Sequence, residues 1–120
     1  MPLHAANLNH AIQLTEHGVT LALPLPQTPL KTQQWVAQFG ARFALNLGEP
    51  DWGADRYQIA LSNEVVSCLL CIEWLCEAIW LEPLGASQSP QQLHRYLIDR
   101  LKTENAWWYR SFFYNGLKLS

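Results

Sequence analysis

The sequence predicts an α+β fold, in which an antiparallel sheet, made of an N-terminal hairpin plus a meander, carries two helices packed on one face. Several short segments alternate apolar and polar residues, which is typical of half-buried strands, and turn-forming residues separate them. Two other segments begin with a Ser or Thr directly before a Pro, which is a common start of a helix. With 120 residues, the chain is expected to form a single domain over residues 1–120.

The first element is expected to be a β-hairpin. Ile12 and Leu14 alternate with polar neighbours, and a second alternating segment covers residues 19–23. His17 and Gly18 lie between the two segments and suit a tight turn, with Gly18 supplying a positive φ.

A helix is predicted to follow, from residue 29 to about residue 39. Thr28 is placed to cap its first turn. Pro29 suits the first helical position, because the backbone N–H that proline lacks would have no partner within the helix there. Gly40 is a typical C-terminal stop and is predicted to end the helix. The buried face is expected to carry Leu30, Val36 and Phe39, with Trp35 at its edge.

An antiparallel meander is predicted after this helix because short turns separate the alternating segments. Its four strands are expected at residues 43–47, 57–61, 65–72 and 78–82.

The stretch of residues 64–82 contains the densest run of apolar residues in the chain. Its β-branched residues and the turn-prone residues at both ends favour two strands, with a turn at residues 75–77. A buried helix is the alternative, since Glu73 and Glu77 lie four residues apart and would share one helix face.

The second helix has a well-defined start signal. Ser89 is expected to cap it, Pro90 to occupy the first position, and Gln92 to complete a capping box with Ser89. Arg95 and Asp99 are expected to pair on the solvent face. The buried face is expected to carry Leu93, Leu97 and Leu101, which recur every four residues.

The C-terminal segment places six aromatic residues within positions 107–114. It fits a short helix that stops at Gly116, and it equally fits a strand that turns at Asn115 and Gly116. One short element cannot bury so many aromatics on one face, so we expect an interface, either of a homodimer or with a partner protein. The alternative is that the whole segment packs on the core of its own chain. The candidate partner-binding residues are Trp107, Trp108, Phe112 and Phe113.

The loop at residues 49–56, EPDWGADR, is the densest polar cluster of the sequence. Loops on a rigid sheet often carry function, so Asp51, Trp52, Asp55 and Arg56 are candidate ligand-binding or partner-binding residues. The alternative is structural, with Asp55 and Arg56 fixing the start of a strand and Trp52 covering the core.

Composition argues against several classes of function. Charged residues make up 15% of the chain and the net charge is −2, whereas a nucleic-acid surface needs many basic residues. Glutamates interrupt the apolar run at residues 64–82, so no membrane span is expected. No secretory signal is visible and the cysteine count is odd, which together indicate reduced thiols and a cytoplasmic protein.

No motif indicates a cofactor or a catalytic centre. Cys68, Cys71 and Cys76 have the spacing of some metal sites, but no Gly or Pro forms a turn between them. On a strand, Cys68 and Cys71 would point to opposite faces, so we expect buried thiols without a metal. The four histidines lack ligand spacing, and no nucleophile or nucleotide-binding motif is present.

Two short patterns, WGADR at residues 52–56 and IWLE at residues 79–82, carry a resemblance. Over residues 40–85 the chain resembles a family of small uncharacterised gammaproteobacterial proteins that is defined as a domain of unknown function. The resemblance implies a cytoplasmic bacterial protein and transfers no catalytic residue. The preferred hypothesis is a non-enzymatic binding or protein-interaction module. The alternative is a small hydrolase-like enzyme that uses the carboxylates of residues 49–56.

Overall fold

The computed structural model describes the backbone of residues 9–115 and the side chains of residues 9–102. Two long helices, α1 and α2, lie outside a seven-stranded antiparallel sheet. The two long helices are α1 (Pro29–Phe43) and α2 (Pro90–Asn115), and residues 9–11 form a single helical turn before the first strand. The strands are β1 (Ile12–Leu14), β2 (Val19–Leu21), β3 (Asn46–Leu47), β4 (Asp51–Trp52), β5 (Arg56–Ser62), β6 (Ser67–Glu73) and β7 (Ala78–Pro83). The predicted α+β class is confirmed.

The strand order is β1-β2-β7-β6-β5-β3, with β4 paired to β5 beside β3. Consecutive pairing of β5, β6 and β7 forms the predicted meander, and the hairpin joins it where β2 pairs with β7. In that junction Val19 lies opposite Leu81, and Thr20 lies opposite Trp80. The hairpin and the meander therefore form one continuous sheet.

The turn of the hairpin needs Gly18 for a reason other than the predicted one. Gly18 does not have a positive φ. Instead, a Cβ at this position would collide with the carbonyl oxygen of Leu81 on β7. The Thr15 side chain accepts a hydrogen bond from the Gly18 N–H at 3.1 Å, which closes the turn. The glycine permits close approach of two backbones.

Both helices pack on one face of the sheet, as expected. Alternate residues of β5, β6 and β7 face them, because side chains alternate along a strand. The buried core contains Tyr57, Ile59, Leu61, Cys68, Leu70, Ile72, Ile79 and Leu81 from these strands, Val36, Phe39 and Phe43 from α1, and Leu93, Leu97 and Leu101 from α2.

The end of α1 differs from the prediction. The helix passes through Gly40 and continues to Phe43, and Ala44 then adopts a left-handed conformation with φ 56°. The chain doubles back so closely that a Cβ on Gly40 would lie 2.9 Å from the Leu47 Cδ2 atom. As a result, the strand expected at residues 43–47 is reduced to Asn46–Leu47.

The buried face of α1 also differs in part. Val36 and Phe39 are buried as expected, but the Leu30 side chain is 63% exposed. Trp35, which was expected at the edge of this face, is buried. Thr28 caps the helix as predicted, since its Oγ1 accepts a hydrogen bond from the Lys31 N–H at 3.1 Å.

The central stretch forms the two predicted strands, so the helical alternative is wrong. The turn between them covers residues 74–77, with Glu77 at φ 50°. β6 begins at Ser67, two residues later than expected. Val65, expected inside the strand, lies before it and is 65% exposed.

α2 begins with the predicted capping box. The Ser89 Oγ accepts from the Gln92 N–H, and the Gln92 Oε1 accepts from the Ser89 N–H, both at 3.1 Å. The backbone stays helical to Asn115, so the segment at residues 107–114 is helix rather than strand. Gly116, the expected stop, lies outside the described residues. Within the described part of the chain, no helix is long and apolar enough to cross a membrane.

Candidate functional site

The polar segment at residues 49–56 forms a small hairpin of β4 and β5. Trp52 lies opposite Tyr57, with ring centroids 4.5 Å apart and planes at 64°. Tyr57 is buried, whereas Trp52 is 41% exposed. Trp52 therefore shields a core side chain at this end of the sheet, in agreement with the structural interpretation.

The remaining residues of this segment do not converge with Trp52. Asp51 lies opposite Gln58, on the face of the sheet opposite to Trp52, and Arg56 shares that face with Gln58. Asp55 lies in the turn, where its carbonyl oxygen accepts a hydrogen bond from the Trp74 N–H at 3.0 Å. The three side chains are exposed. The strand alternation therefore splits the predicted cluster between two faces.

The second predicted site is the aromatic segment. The helical backbone of α2 includes Trp107, Trp108, Phe112 and Phe113. Their side chains lie outside the described residues, so the partner surface stays a prediction.

A further surface, which we call the α2 cleft, was not predicted from the sequence. It has a volume of about 430 Å³ and is open to solvent. Three chain segments form it: the β5–β6 turn, the residues before α2, and one face of α2. The cleft is lined by Val65, Val66, Gln88, Gln92, Arg95, Tyr96, Asp99 and Arg100.

Asn63 holds the β5–β6 wall of the α2 cleft in place. Its Oδ1 accepts hydrogen bonds from the backbone N–H groups of Val65 at 2.7 Å and Val66 at 2.9 Å. Its Nδ2 donates to the Ala44 carbonyl at 3.0 Å and to the Tyr96 hydroxyl at 2.8 Å. One side chain thus joins the turn, the end of α1 and α2.

Tyr96 extends this network to the C-terminus of α1. Its hydroxyl donates a hydrogen bond of 2.6 Å to the carbonyl of Phe43, one of the carbonyls that the helix itself leaves without a partner. The wall of the α2 cleft is therefore fixed by hydrogen bonds from three elements. Fixed walls bind a ligand with a smaller loss of conformational entropy.

The electrostatics of the α2 cleft differ from the prediction for this helix. Arg95 and Asp99 do not form the expected ion pair, and neither they nor Arg100 have an ionic partner within residues 9–102. Two guanidinium groups and one carboxylate thus line the same cleft, and no described side chain forms an ion pair with them.

Gln88 contributes a buried acceptor to the α2 cleft. Its backbone N–H donates to the Gly85 carbonyl at 3.1 Å, and Gly85 has φ 97°, which suits glycine. The Gln88 Oε1 atom is buried without a hydrogen-bond partner in the described structure. Buried polar atoms without partners are uncommon, and one beside a cleft is available to a ligand.

Cys68 and Cys71 are buried on opposite faces of β6 as expected, whereas the expectation of a buried thiol is wrong for Cys76. Cys68 is buried in the core, Cys71 is buried on the other face, and Cys76 is exposed in the β6–β7 turn. Within residues 9–102, no group of three or more His, Cys, Asp or Glu side chains is placed to hold a metal ion.

No protein-family model matches the sequence, and no curated protein or solved structure is significantly similar to it. The resemblance of the WGADR and IWLE segments to a gammaproteobacterial family therefore stays a prediction.

Proposed function

We propose that this protein is a non-enzymatic protein-interaction module and that its α2 cleft binds an acidic segment of a partner protein. The proposal is carried by one observation: Arg95 and Arg100 have no ionic partner within residues 9–102, and they lie beside the exposed apolar side chain of Val65.

Charge supports an acidic partner. The chain as a whole has a net charge of −2, yet the α2 cleft contains two arginines and a single aspartate, Asp99. A local charge opposite to that of the molecule favours acidic partners and orients them during encounter. Arginine also binds a carboxylate through two parallel N–H groups, which fixes the geometry of the complex.

The apolar wall supports a polypeptide partner rather than a simple anion. Val65 is 65% exposed, and Asn63 fixes the backbone of the turn that presents it. Covering a valine side chain contributes about 1–1.5 kcal/mol. A peptide with one apolar side chain next to acidic residues would contact both Val65 and the arginines.

The buried Gln88 Oε1 atom supports the same class of ligand. It needs a hydrogen-bond donor, and a peptide backbone offers an N–H group at every residue except proline. A backbone N–H of a bound peptide would give this oxygen the hydrogen-bond partner that it lacks among the described residues.

The test is selection from a display library of random peptides on the wild-type chain, after removal of peptides that bind an Arg95→Glu, Arg100→Glu variant. Enriched peptides are expected to combine Asp or Glu with an apolar residue. Their affinity is expected to fall about tenfold or more in Arg95→Glu, since one charge-assisted hydrogen bond contributes about 1.5–3 kcal/mol.

Two further variants separate the site from general charge effects. Asp99→Asn is expected to raise the affinity for the acidic peptides, because it removes a carboxylate that repels them. Arg56→Glu, which changes the net charge as much as Arg95→Glu but lies outside the α2 cleft, is expected to leave it unchanged at physiological salt. Peptides that bind Arg95→Glu as well as the wild type would contradict the proposal.

A further inference from the structure

A second cleft, which we call the α1 cleft, lies between α1 and the chain segment that precedes it. It has a volume of about 280 Å³. The α1 cleft is lined by Pro24, Leu25, Pro26, Gln27, Lys31, Gln34, Trp35 and Gln38. It shares no residue with the α2 cleft.

One wall of the α1 cleft is fixed from outside. The Trp74 indole N–H, in the β6–β7 turn, donates a hydrogen bond of 2.7 Å to the carbonyl of Pro26. The Gln27 side chain donates to the Leu25 carbonyl at 3.0 Å, and the proline rings of Pro24 and Pro26 fix φ. This wall therefore keeps its shape without a ligand.

Trp35 and Pro26 are the two buried residues among those that line the α1 cleft. Trp35 is only 5% exposed and stacks on Phe39, with ring centroids 5.3 Å apart and planes at 11°. Its indole Nε1 is buried and has no hydrogen-bond partner among the described residues. An indole N–H is a donor only, so it can be satisfied only by an acceptor.

Lys31 provides a second donor close to this one. Lys31, Gln34, Trp35 and Gln38 occupy positions i, i+3, i+4 and i+7 of α1, which lie on one helix face. Lys31 has no ionic partner among residues 9–102, and none of the residues that line the α1 cleft is acidic. The cleft therefore combines a buried neutral donor, a cation and an apolar wall.

We infer that the α1 cleft is a binding site for a small organic carboxylate. One carboxylate oxygen accepts the Trp35 indole N–H, and the Lys31 ammonium group pairs with the carboxylate. The hydrocarbon part of the ligand packs against Pro24, Leu25 and Pro26. A volume of about 280 Å³ lies at the lower limit for ligand sites, which favours a compact acid over a nucleotide. This inference does not depend on the peptide site of the α2 cleft.

The experiment is a titration of the full chain, labelled with ¹⁵N at its tryptophan indoles, with butanoate, benzoate and inorganic phosphate. Butanamide and benzamide serve as neutral controls of the same shape. The Trp35 indole signal, identified by its loss in Trp35→Phe, is expected to shift with a dissociation constant of about 1 mM or tighter for at least one carboxylate. The amides are expected to bind at least about fivefold more weakly.

Variants distinguish the two donors. Trp35→Phe removes the indole N–H, so it is expected to weaken carboxylate binding about tenfold, measured by calorimetry because this variant lacks the Trp35 signal. It is also expected to lower the melting temperature of the ligand-free chain, because the smaller ring packs less well on Phe39. Lys31→Met is expected to weaken binding at least about fivefold without changing that melting temperature. Lys102→Met, outside the cleft, is the control and is expected to bind as the wild type does.

Three results would overturn the inference. The first is that neither carboxylate causes a saturable shift of the Trp35 indole signal. The second is that carboxylates and amides bind equally well, and the third is that Lys31→Met leaves the affinity unchanged. Saturation by phosphate alone would also overturn it, since the ligand would then be an inorganic anion. Because Lys31 is exposed, its variant decides the question even if Trp35→Phe does not fold.

Discussion

Cys68 and Cys71 are three positions apart on β6, and the alternation of the strand sends their thiols to opposite faces. Burial raises the pKa of Cys68 to about 12, with a contribution from Cys71. Burial, together with the nearby Glu82 carboxylate, raises the pKa of Cys71 to about 11. Cys76 is exposed, but its thiol donates a hydrogen bond of 2.9 Å to Glu73, and this raises its pKa.

These environments predict how the thiols react. At about pH 8, an aromatic disulfide reagent is expected to label Cys76 alone in the native chain, and all three thiols after unfolding. Glu73→Gln should accelerate labelling of Cys76, because it removes the charge that stabilises the neutral thiol. Cys76→Ser is the control and is expected to make the native chain unreactive. Rapid labelling of more than one thiol would contradict the buried placement of Cys68 and Cys71.

The same shifts give stability a pH dependence. Unfolded thiols ionise at their ordinary pKa of 9.0, whereas Cys68 and Cys71 stay neutral in the fold until about pH 11–12. Their contribution is therefore fully present below pH 9.0 and is lost as pH rises through this window. Urea titrations at several alkaline pH values should show a shallower decline in the unfolding free energy for Cys68→Ala than for the wild type.

At the scale of the helices and strands, the sequence predicted both helix starts correctly, because at each start a side chain forms a hydrogen bond with the backbone of its own helix. The Thr28 cap and the Ser89–Gln92 capping box form as predicted because both depend on residues three positions apart. The end of α1 was predicted wrongly because Gly40 is needed for close approach to Leu45 and Leu47 rather than for a left-handed conformation. That approach depends on the course of the chain after the helix, which no local pattern reveals.

The left-handed end of α1 allows a direct test. Ala44 has φ 56°, where a Cβ crowds the backbone, so Ala44→Gly is expected to raise the unfolding free energy by about 1 kcal/mol. The control is Ala37→Gly, the same change at an exposed interior position of α1, which is expected to lower it by about 1 kcal/mol. Urea denaturation measures both. A destabilised Ala44→Gly chain would show that the Cβ of Ala44 contributes more by packing than it costs in strain.

For the whole molecule, the sequence could predict which residues form strands, but it could not predict which distant segments come into contact. The alternation of residues 57–61 was sufficient to assign β5, and the β-branched content and turn-prone ends of residues 64–82 were sufficient to assign β7. The pairing of β2 with β7 joins residues about sixty positions apart. Short strands with few polar residues do not carry enough sequence pattern to specify which strand they pair with. The α2 cleft was missed for the same reason, since Val65, Gln88 and Arg100 are brought together only by the fold.

The aromatic segment at residues 107–114 predicts self-association of the whole chain. If its aromatic side chains form an interface, light scattering should give the mass of two chains, and a Trp108→Ser, Phe113→Ser variant should give the mass of one. Leu75→Ser, which removes an exposed leucine from the β6–β7 turn, is the control and should not change the mass. A wild-type monomer at all concentrations, with the double variant only melting earlier, would instead place the aromatics in the core of their own chain.

The edge strands of the sheet are unusually short. β1 has three residues, and the opposite edge consists of β3 and β4, with two residues each. Amyloid growth by addition of a neighbouring molecule's strand needs a longer run of unpaired N–H and C=O groups on a flat edge. The short edge strands therefore disfavour fibril growth by strand addition to the native chain.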